Sequence, residues 1–177
     1  MANVSFARTS TFTTYLWLLP WAFTLNCELP GGKLNMPIQP DDIIWNKAAI
    51  IERCIRRMHE EYRADPDLED YTHVDALTLN IERACQAAID LAMHMVAKQR
   101  LGVPQSSGDA FHLLEKSGYV SSKLRKSLVA MTGFRNIAIH QYQAIDISVL
   151  QHIVTKGYQD LIAFGSAMGA KIQDRRV

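Results

Sequence analysis

The chain has 177 residues, of which 48% are hydrophobic and 21% charged. This length suits one domain, and the composition is too apolar for a disordered protein. Nine glycines and six prolines are too few for a collagen-like or linker-rich chain. A formal net charge of +1 provides no overall attraction to nucleic acid or to an anionic membrane, so such an attraction requires a local cluster.

The N-terminal segment differs in composition from the rest and leaves three interpretations open. Residues 10–27 carry no charge, and their apolar run of about 11 residues resembles a signal-peptide core but is too short to span a bilayer. Alternatively, residues 1–35 form an extension that does not pack on the domain. In the third interpretation, residues 1–35 are not translated and the protein starts at Met36. A purine-rich ribosome-binding sequence, read as protein, encodes Gly-Gly-Lys, and this tripeptide occurs at residues 31–33, shortly before Met36. We expect the folded domain, without a membrane span, to occupy residues 36–177.

Two long amphipathic helices are predicted first. Asp41-Asp42, just after Pro40, supplies an N-cap for the first helix, which ends at Asp65-Pro66. The second starts near Thr72 and stops before Gly102. In each helix apolar side chains recur at steps of three and four, which predicts one buried stripe. The stripes are Ile44, Ala48, Ile51, Ile55, Met58 and Tyr62, and then Val74, Leu77, Ile81, Ala84, Ala88, Leu91 and Met95.

Shorter helices follow. One ends near Lys116, one begins after Ser121-Ser122, and the last begins near Asp146. Gly133 is expected to kink or break the middle helix. No segment alternates apolar and polar residues, and no Asn-Gly hairpin turn is present. The sequence therefore predicts an all-α protein, an up-and-down bundle of four to five helices.

Motifs for cofactors and metals are missing from the sequence. It has no Gly-x-Gly-x-x-Gly, no Walker loop and no His-Glu-x-x-His, and its three cysteines are scattered. We therefore expect no cofactor and no metal site. Cys54 and Cys85 lie beside helix stripes, which predicts small buried thiols.

A local positive region surrounds residues 134–142. No Asp or Glu occurs from Lys116 to Ile145. The cationic residues of that span are Lys116, Lys123, Arg125, Lys126 and Arg135. Such a region is what phosphate binding requires, although a like-charged helix face turned to solvent is the alternative.

Helical geometry places the polar groups of this region away from the core. At about 100° per residue, Asn136 and His140 lie within ~40° of each other, whereas Arg135 lies ~140° from His140. The predicted inward stripe consists of Phe134, Ile137 and Ala138. One helix does not readily aim Arg135 and His140 at one atom, but two copies meeting across a two-fold axis can do so. We therefore expect a homodimer.

These residue types suit RNA cleavage without a metal ion. The reaction needs groups that take the 2′-hydroxyl proton and protonate the leaving 5′-oxygen, and His140 can do this work near neutral pH. Arg135 offers a permanent charge and a forked donor to the phosphorane oxygens. Asn136 is a candidate for orienting either group or the ribose. Chance also places an Arg and a His at this separation in many helices.

The segment Arg-Asn-Ile-Ala-Ile-His-Gln-Tyr at residues 135–142 resembles the Arg-x-x-x-x-His-x-Tyr signature of HepT-like toxins in the HEPN superfamily. The polar residue directly after the Arg also matches. The similarity runs from about Asp41 to Met168, and residues 81–92 of the second helix also resemble that family.

The resemblance implies an all-helical homodimer in which the two motifs face each other. It implies a metal-independent, cytoplasmic endoribonuclease toxin of a type VII toxin–antitoxin system. It further implies a partner, a minimal nucleotidyltransferase (MNT) antitoxin, that transfers AMP from ATP to Tyr142. An added AMP places negative charge and bulk where an RNA phosphate should sit. The alternative for Tyr142 is a packing residue with a polar tip.

Two classes of function are left open by the sequence. The first is the ribonuclease toxin, in which Lys123, Arg125 and Lys126 are expected to contact the RNA backbone. The second is a non-catalytic helical module that binds a nucleotide or regulates a nucleotidyltransferase. Only the first requires His140 to titrate during a reaction. Asp146 is expected to cap the last helix rather than to act as a catalytic acid.

Overall fold

The computed structural model describes residues 38–140 and 145–174, and all regular structure in these ranges is helical. The N-terminal segment on which the three interpretations rest lies outside the described residues, so the predicted division at Met36 stays a prediction. No helix among the described residues is long and apolar enough to cross a membrane.

Six α-helices and one π-turn follow each other along the described chain. The elements are α1 (Asp42–Ala64), α2 (Tyr71–Lys98), α3 (Ser107–Lys116), α4 (Ser122–His140), α5 (Ile147–His152), the π-turn (Ile153–Gly157) and α6 (Tyr158–Ala167). This architecture confirms the predicted all-α helical bundle.

Hydrogen bonds of the Asp41 side chain connect the start of α1 to the last turns of α2. The Asp41 carboxylate caps α1 by accepting a 3.0 Å hydrogen bond from the Ile44 backbone N–H. The same side chain binds His94 Nε2 at 2.8 Å and Lys98 Nζ at 2.9 Å, both near the far end of α2. The bond from Lys98, with those from Ile44 and His94, holds the pKa of Asp41 well below its ordinary value. The predicted cap is confirmed, and it also aligns α1 antiparallel to α2.

Helix α2 lies at the centre of the bundle. It packs against α1, α3, α4 and α6, and its buried residues include the whole predicted stripe. The α1 stripe is buried as well, apart from Tyr62, which is half-buried. The two longest helices therefore form the pair against which the shorter helices pack.

The last predicted helix is present and contains a π-turn. Asp146 caps α5 by accepting a 2.8 Å bond from the Ser148 N–H, as predicted. At the π-turn the Tyr158 N–H donates to the Ile153 carbonyl, five residues back. Thr155 Oγ1 donates to the Gln151 carbonyl at 2.6 Å, so a side chain competes for the regular ladder. The helical run from Ile147 to Ala167 is nevertheless continuous, as one predicted helix requires.

Of the kink or break predicted at Gly133, the break is wrong. Helix α4 runs without a break through this residue to His140. Gly133 is exposed, and a Cβ added there would contact nothing within 4 Å. The glycine therefore lowers helix propensity without ending the helix.

Replacement of Leu91 tests the central position of α2. Leu91 is fully buried, and we expect Leu91→Ala to lower the free energy of unfolding by about 2–5 kcal/mol because it leaves a cavity in a packed core. Leu79→Ala on the same helix is the matched control, since Leu79 is 42% exposed. Urea denaturation at one protein concentration measures both values, and equal losses would contradict the burial of Leu91.

The contact between His73 and Glu61 predicts a pH-dependent stability. His73 Nδ1 lies 2.9 Å from Glu61 Oε2, and the bond to this carboxylate raises the pKa of His73. Its stabilising contribution should be complete below the unfolded pKa of about 6.5 and be lost as the pH rises through the higher folded value. The difference in Tm between the wild type and His73→Gln should therefore be larger at about pH 5.5 than at about pH 8.5. His152→Gln, at an exposed position on another helix, is the matched control for the substitution itself, and a His73 difference that grows with pH would refute the assignment.

Candidate functional site

The predicted active residues lie at the end of α4 that extends beyond the core. Leu128, Met131 and Phe134 are buried and fix the helix against its neighbours. From Arg135 to His140 no residue is buried. The packed part of α4 thus holds an exposed end in a fixed direction.

The exposure of Ile137 differs from the sequence prediction. It was expected to face inward with Phe134 and Ala138, but it is 42% exposed, and Ala138 is half-buried. Ile139 and, at the start of α5, Val149 are each 41% exposed. These three branched side chains, which we call the apolar rim, were missed because periodicity shows which face is apolar and not whether the same chain covers it.

Arg135 lies at the boundary between the core and solvent. Its Nη1 reaches Asn136 Oδ1 at 3.4 Å. Its Nε is buried and has no hydrogen-bond partner among the described residues. Buried donors are nearly always paired, so a guanidinium N–H without an acceptor is a group ready to bind one. Of the two groups that Asn136 was a candidate to orient, it contacts Arg135 in the described structure.

His140 is the exposed last residue of α4. Because the helix is unbroken, His140 lies about 7.5 Å along the axis from Arg135 and ~140° around it. No hydrogen bond joins these two side chains in the described structure. The geometry agrees with the expectation that a single α4 does not aim both groups at one atom.

Tyr142, the predicted acceptor of AMP, belongs to residues 141–144, which lie outside the described residues. Its position relative to Arg135 and His140 stays a prediction from helical spacing and from the family resemblance.

The three predicted backbone-binding cations differ in their surroundings. Lys123 and Lys126 are exposed. Arg125 Nε instead forms a 3.0 Å ion pair with Glu115 Oε2. Bonds from the Ser122 hydroxyl and from Arg125 lower the pKa of Glu115, so the carboxylate stays ionised. Since Glu115 directly precedes the acid-free span, the sequence did not reveal that Arg125 is neutralised by it.

Other chemically reactive groups are buried or dispersed. Burial raises the pKa of the Cys85 thiol to about 12 and also raises that of Cys54, which suits inert packing residues. The predicted burial of both thiols is confirmed. No cluster of three His, Cys, Asp or Glu side chains suitable for a metal ion occurs among the described residues.

Comparisons with known proteins place these features in a family. A sequence model of the ribonuclease HepT-like family matches residues 48–168. An mRNA nuclease HepT of Shewanella oneidensis is 40% identical over 125 residues, which cover 70% of this chain and 94% of the relative. A tRNA nuclease HepT of Aphanizomenon flos-aquae is 32% identical over 83 residues, which cover 45% of this chain and 56% of that protein.

Solved structures agree with this placement. A tri-AMPylated Shewanella oneidensis HEPN toxin in complex with an MNT antitoxin has a TM-score of 0.70 at 39% identity, covering 73% of this chain and 98% of the toxin chain. A toxin–antitoxin crystal structure with AMP-PNP has a TM-score of 0.70 at 38% identity, with the same coverage. By sequence and by fold, the chain belongs to the ribonuclease HepT-like family.

Proposed function

We propose that this protein is an endoribonuclease toxin in which Arg135 and His140 catalyse cleavage. The observation that carries the residue assignment is the buried Nε of Arg135 at the exposed end of α4, which has no hydrogen-bond partner within residues 38–140 and 145–174. Support for the activity comes from the two relatives, which are an mRNA nuclease and a tRNA nuclease.

The chemistry uses side chains as acid, base and charge stabiliser. The ribose 2′-oxygen forms a bond to phosphorus and loses its proton, while the bond from phosphorus to the 5′-oxygen breaks and that oxygen gains a proton. The products are a 2′,3′-cyclic phosphate and a 5′-hydroxyl. His140 exchanges these protons, since an imidazole gains and loses a proton near neutral pH. Arg135 donates to the charged phosphorane oxygens, and Asn136 orients the guanidinium that it contacts.

A homodimer supplies the geometry that one copy lacks. Arg135 and His140 point away from each other on one helix, so Arg135 of one copy and His140 of the other would meet at a two-fold axis. Ile137 and Ile139 of the apolar rim lie between Arg135 and His140 in sequence, and a dimer contact at this end of α4 would cover them. Lys123 and Lys126 then remain for backbone contacts, and Arg125 joins them only if it leaves Glu115.

The proposed partner is an MNT-type nucleotidyltransferase that uses ATP. Support comes from the solved structure of a tri-AMPylated HEPN toxin bound to an MNT antitoxin. The match to this protein covers 98% of the toxin chain. Tyr142 is the proposed AMP acceptor, because the phosphate of an attached AMP would compete with RNA for Arg135. We place the pair in the cytoplasm, where RNA and ATP occur together.

Removing either catalytic side chain should abolish cleavage. We expect Arg135→Ala and His140→Ala to lower the rate of RNA cleavage in EDTA by a factor of about 100 or more, since each removes charge or proton transfer in the transition state. Arg63→Ala and His112→Ala are matched controls, because both side chains are exposed and lie on other helices. Gel analysis of RNA fragments measures the rates, and catalysis by these residues is excluded if all variants cleave alike.

Mixing the two inactive variants tests the shared site in the same assay. If Arg135 and His140 act from opposite copies, a mixed dimer contains one complete pair. Denaturing and refolding Arg135→Ala and His140→Ala together should restore part of the wild-type rate. If both residues instead act within one copy, no copy in the mixture has a complete pair and the rate should not recover. Absence of recovery would therefore contradict the two-fold arrangement.

Modification by the partner should depend on Tyr142. After incubation with the nucleotidyltransferase and ATP, the intact mass of the toxin should increase by one or more AMP units, and its cleavage of RNA should fall. Tyr142→Phe removes the hydroxyl nucleophile and should gain no mass. Tyr71→Phe is the control, since Tyr71 is exposed on α2. Equal mass gain in wild type and Tyr142→Phe would exclude this acceptor.

A further inference from the structure

A cationic groove runs between α1 and α2, on elements that do not carry the proposed catalytic residues. It has a volume of about 700 Å³ and is lined by both helices. Its cations are Lys47, Arg53, Arg56, Arg57 and Arg83, and its carboxylates are Glu82 and Asp90. In a protein of net charge +1 this excess of cations is a local feature.

Three of these five cations are paired with carboxylates. Lys47 binds Asp90 at 2.7 Å, Arg56 lies 3.7 Å from Glu60, and Arg57 binds Glu60 at 2.6 Å and Glu61 at 2.7 Å. Arg53 and Arg83 form no hydrogen bond or ion pair with any described residue, and both are exposed. Their charge is therefore available to a ligand.

The antiparallel register places Arg53 and Arg83 at about the same level of the helix pair. Lys47 meets Asp90 at one end of the pair, and Glu61 meets His73 at the other. Positions 53 and 83 both lie midway between these two contacts, and both side chains line the groove. Both guanidinium charges also act on the pKa of the same thiol, that of Cys54, which lines the groove as well. Two like charges that share one groove repel unless an anion lies between them.

We infer that the α1–α2 groove binds the phosphate backbone of RNA outside the cleavage site, with Arg53 and Arg83 as its main contacts. The inference rests on the proposed ribonuclease function for the identity of the polyanion. Guanidinium groups bind phosphate oxygens through two parallel N–H donors, and such contacts position a nucleic acid without reading its bases. An extended chain explains two free arginines in an open groove better than a single small anion does.

The floor of the groove supports a flexible chain rather than a compact ion. It includes Ile50 and Leu79, and Leu79 is 42% exposed. Apolar surface beside guanidinium groups offers contact to ribose and base faces once the phosphates are held. The groove would therefore raise affinity for RNA longer than the segment at the catalytic pair.

The test measures binding apart from cleavage. A short labelled single-stranded RNA is titrated at several salt concentrations against His140→Ala protein with and without Arg53→Ala and Arg83→Ala. We expect roughly tenfold weaker binding and a salt slope shallower by about 1.4, as for the loss of two phosphate contacts. Arg63→Ala with Lys171→Ala is the control, because it removes the same charge from exposed positions elsewhere.

A conservative pair and a kinetic measurement complete the design. Arg53→Lys with Arg83→Lys keeps both charges and should retain most of the salt slope while binding more weakly than the parent, which a folding defect would not produce. In protein with His140 intact, the alanine pair should raise KM for the same RNA and leave kcat unchanged.

The outcomes separate this inference from the proposed function. Unchanged affinity and salt slope in the alanine pair overturn the RNA groove, even if the protein cleaves RNA. The same result with loss of the complex with the nucleotidyltransferase would assign the groove to a protein interface instead. If no RNA is cleaved but the alanine pair binds RNA more weakly than the control, the groove stands and the ribonuclease proposal fails.

Discussion

The burial of α2 among its neighbours is the constraint on which the other parts of the structure depend. Ala84, Ala87, Ala88 and Ala92 are almost fully buried along this helix. Small side chains let neighbouring helices approach closely, and larger ones such as Leu91 fill the remaining space. Because α2 contacts four other helices, its direction sets the directions of α1 and α4, which carry the two surfaces of functional interest.

The site at the end of α4 combines a rigid support with an exposed tip. Phe134 is the last buried residue of the helix, and Arg135 directly follows it. The Arg135 side chain therefore has its Nε inside the protein and its Nη1 near Asn136 at the surface. A packed helix restricts the positions that such a side chain can take, which favours catalysis by preorganised charge.

Local ion pairs decide where the positive charge of this nearly neutral protein can act. Glu115 neutralises Arg125, and Glu60 and Glu61 neutralise Arg57. Two opposite charges in contact largely cancel each other at a distance, so a paired cation attracts a phosphate weakly. An unpaired cation attracts it with its full charge. Two surfaces of functional interest keep exposed cations: Lys123 and Lys126 lie on α4, and Arg53 and Arg83 line the groove between α1 and α2.

Features that depend only on residues close together in the chain could be predicted from the sequence. Caps such as Asp41 and Asp146 bind backbone groups two or three residues away, and the stripes of α1 and α2 follow the helical repeat. For the same reason the helical placement of Arg135, Asn136 and His140 was predictable, since it requires only an unbroken α4.

Which apolar faces stay exposed and which charges stay unpaired could not be predicted, because the packing of the helices fixes both. The exposure of Ile137, the pairing of Arg125 with Glu115, and the presence of Arg53 and Arg83 in one groove all depend on how separate helices pack. The π-turn at Ile153–Gly157 likewise shifts the backbone ladder inside a helix that the sequence pattern predicts as regular. Periodicity describes one helix at a time, whereas burial and ion pairing depend on pairs of elements, and the register between them exists only in the folded chain.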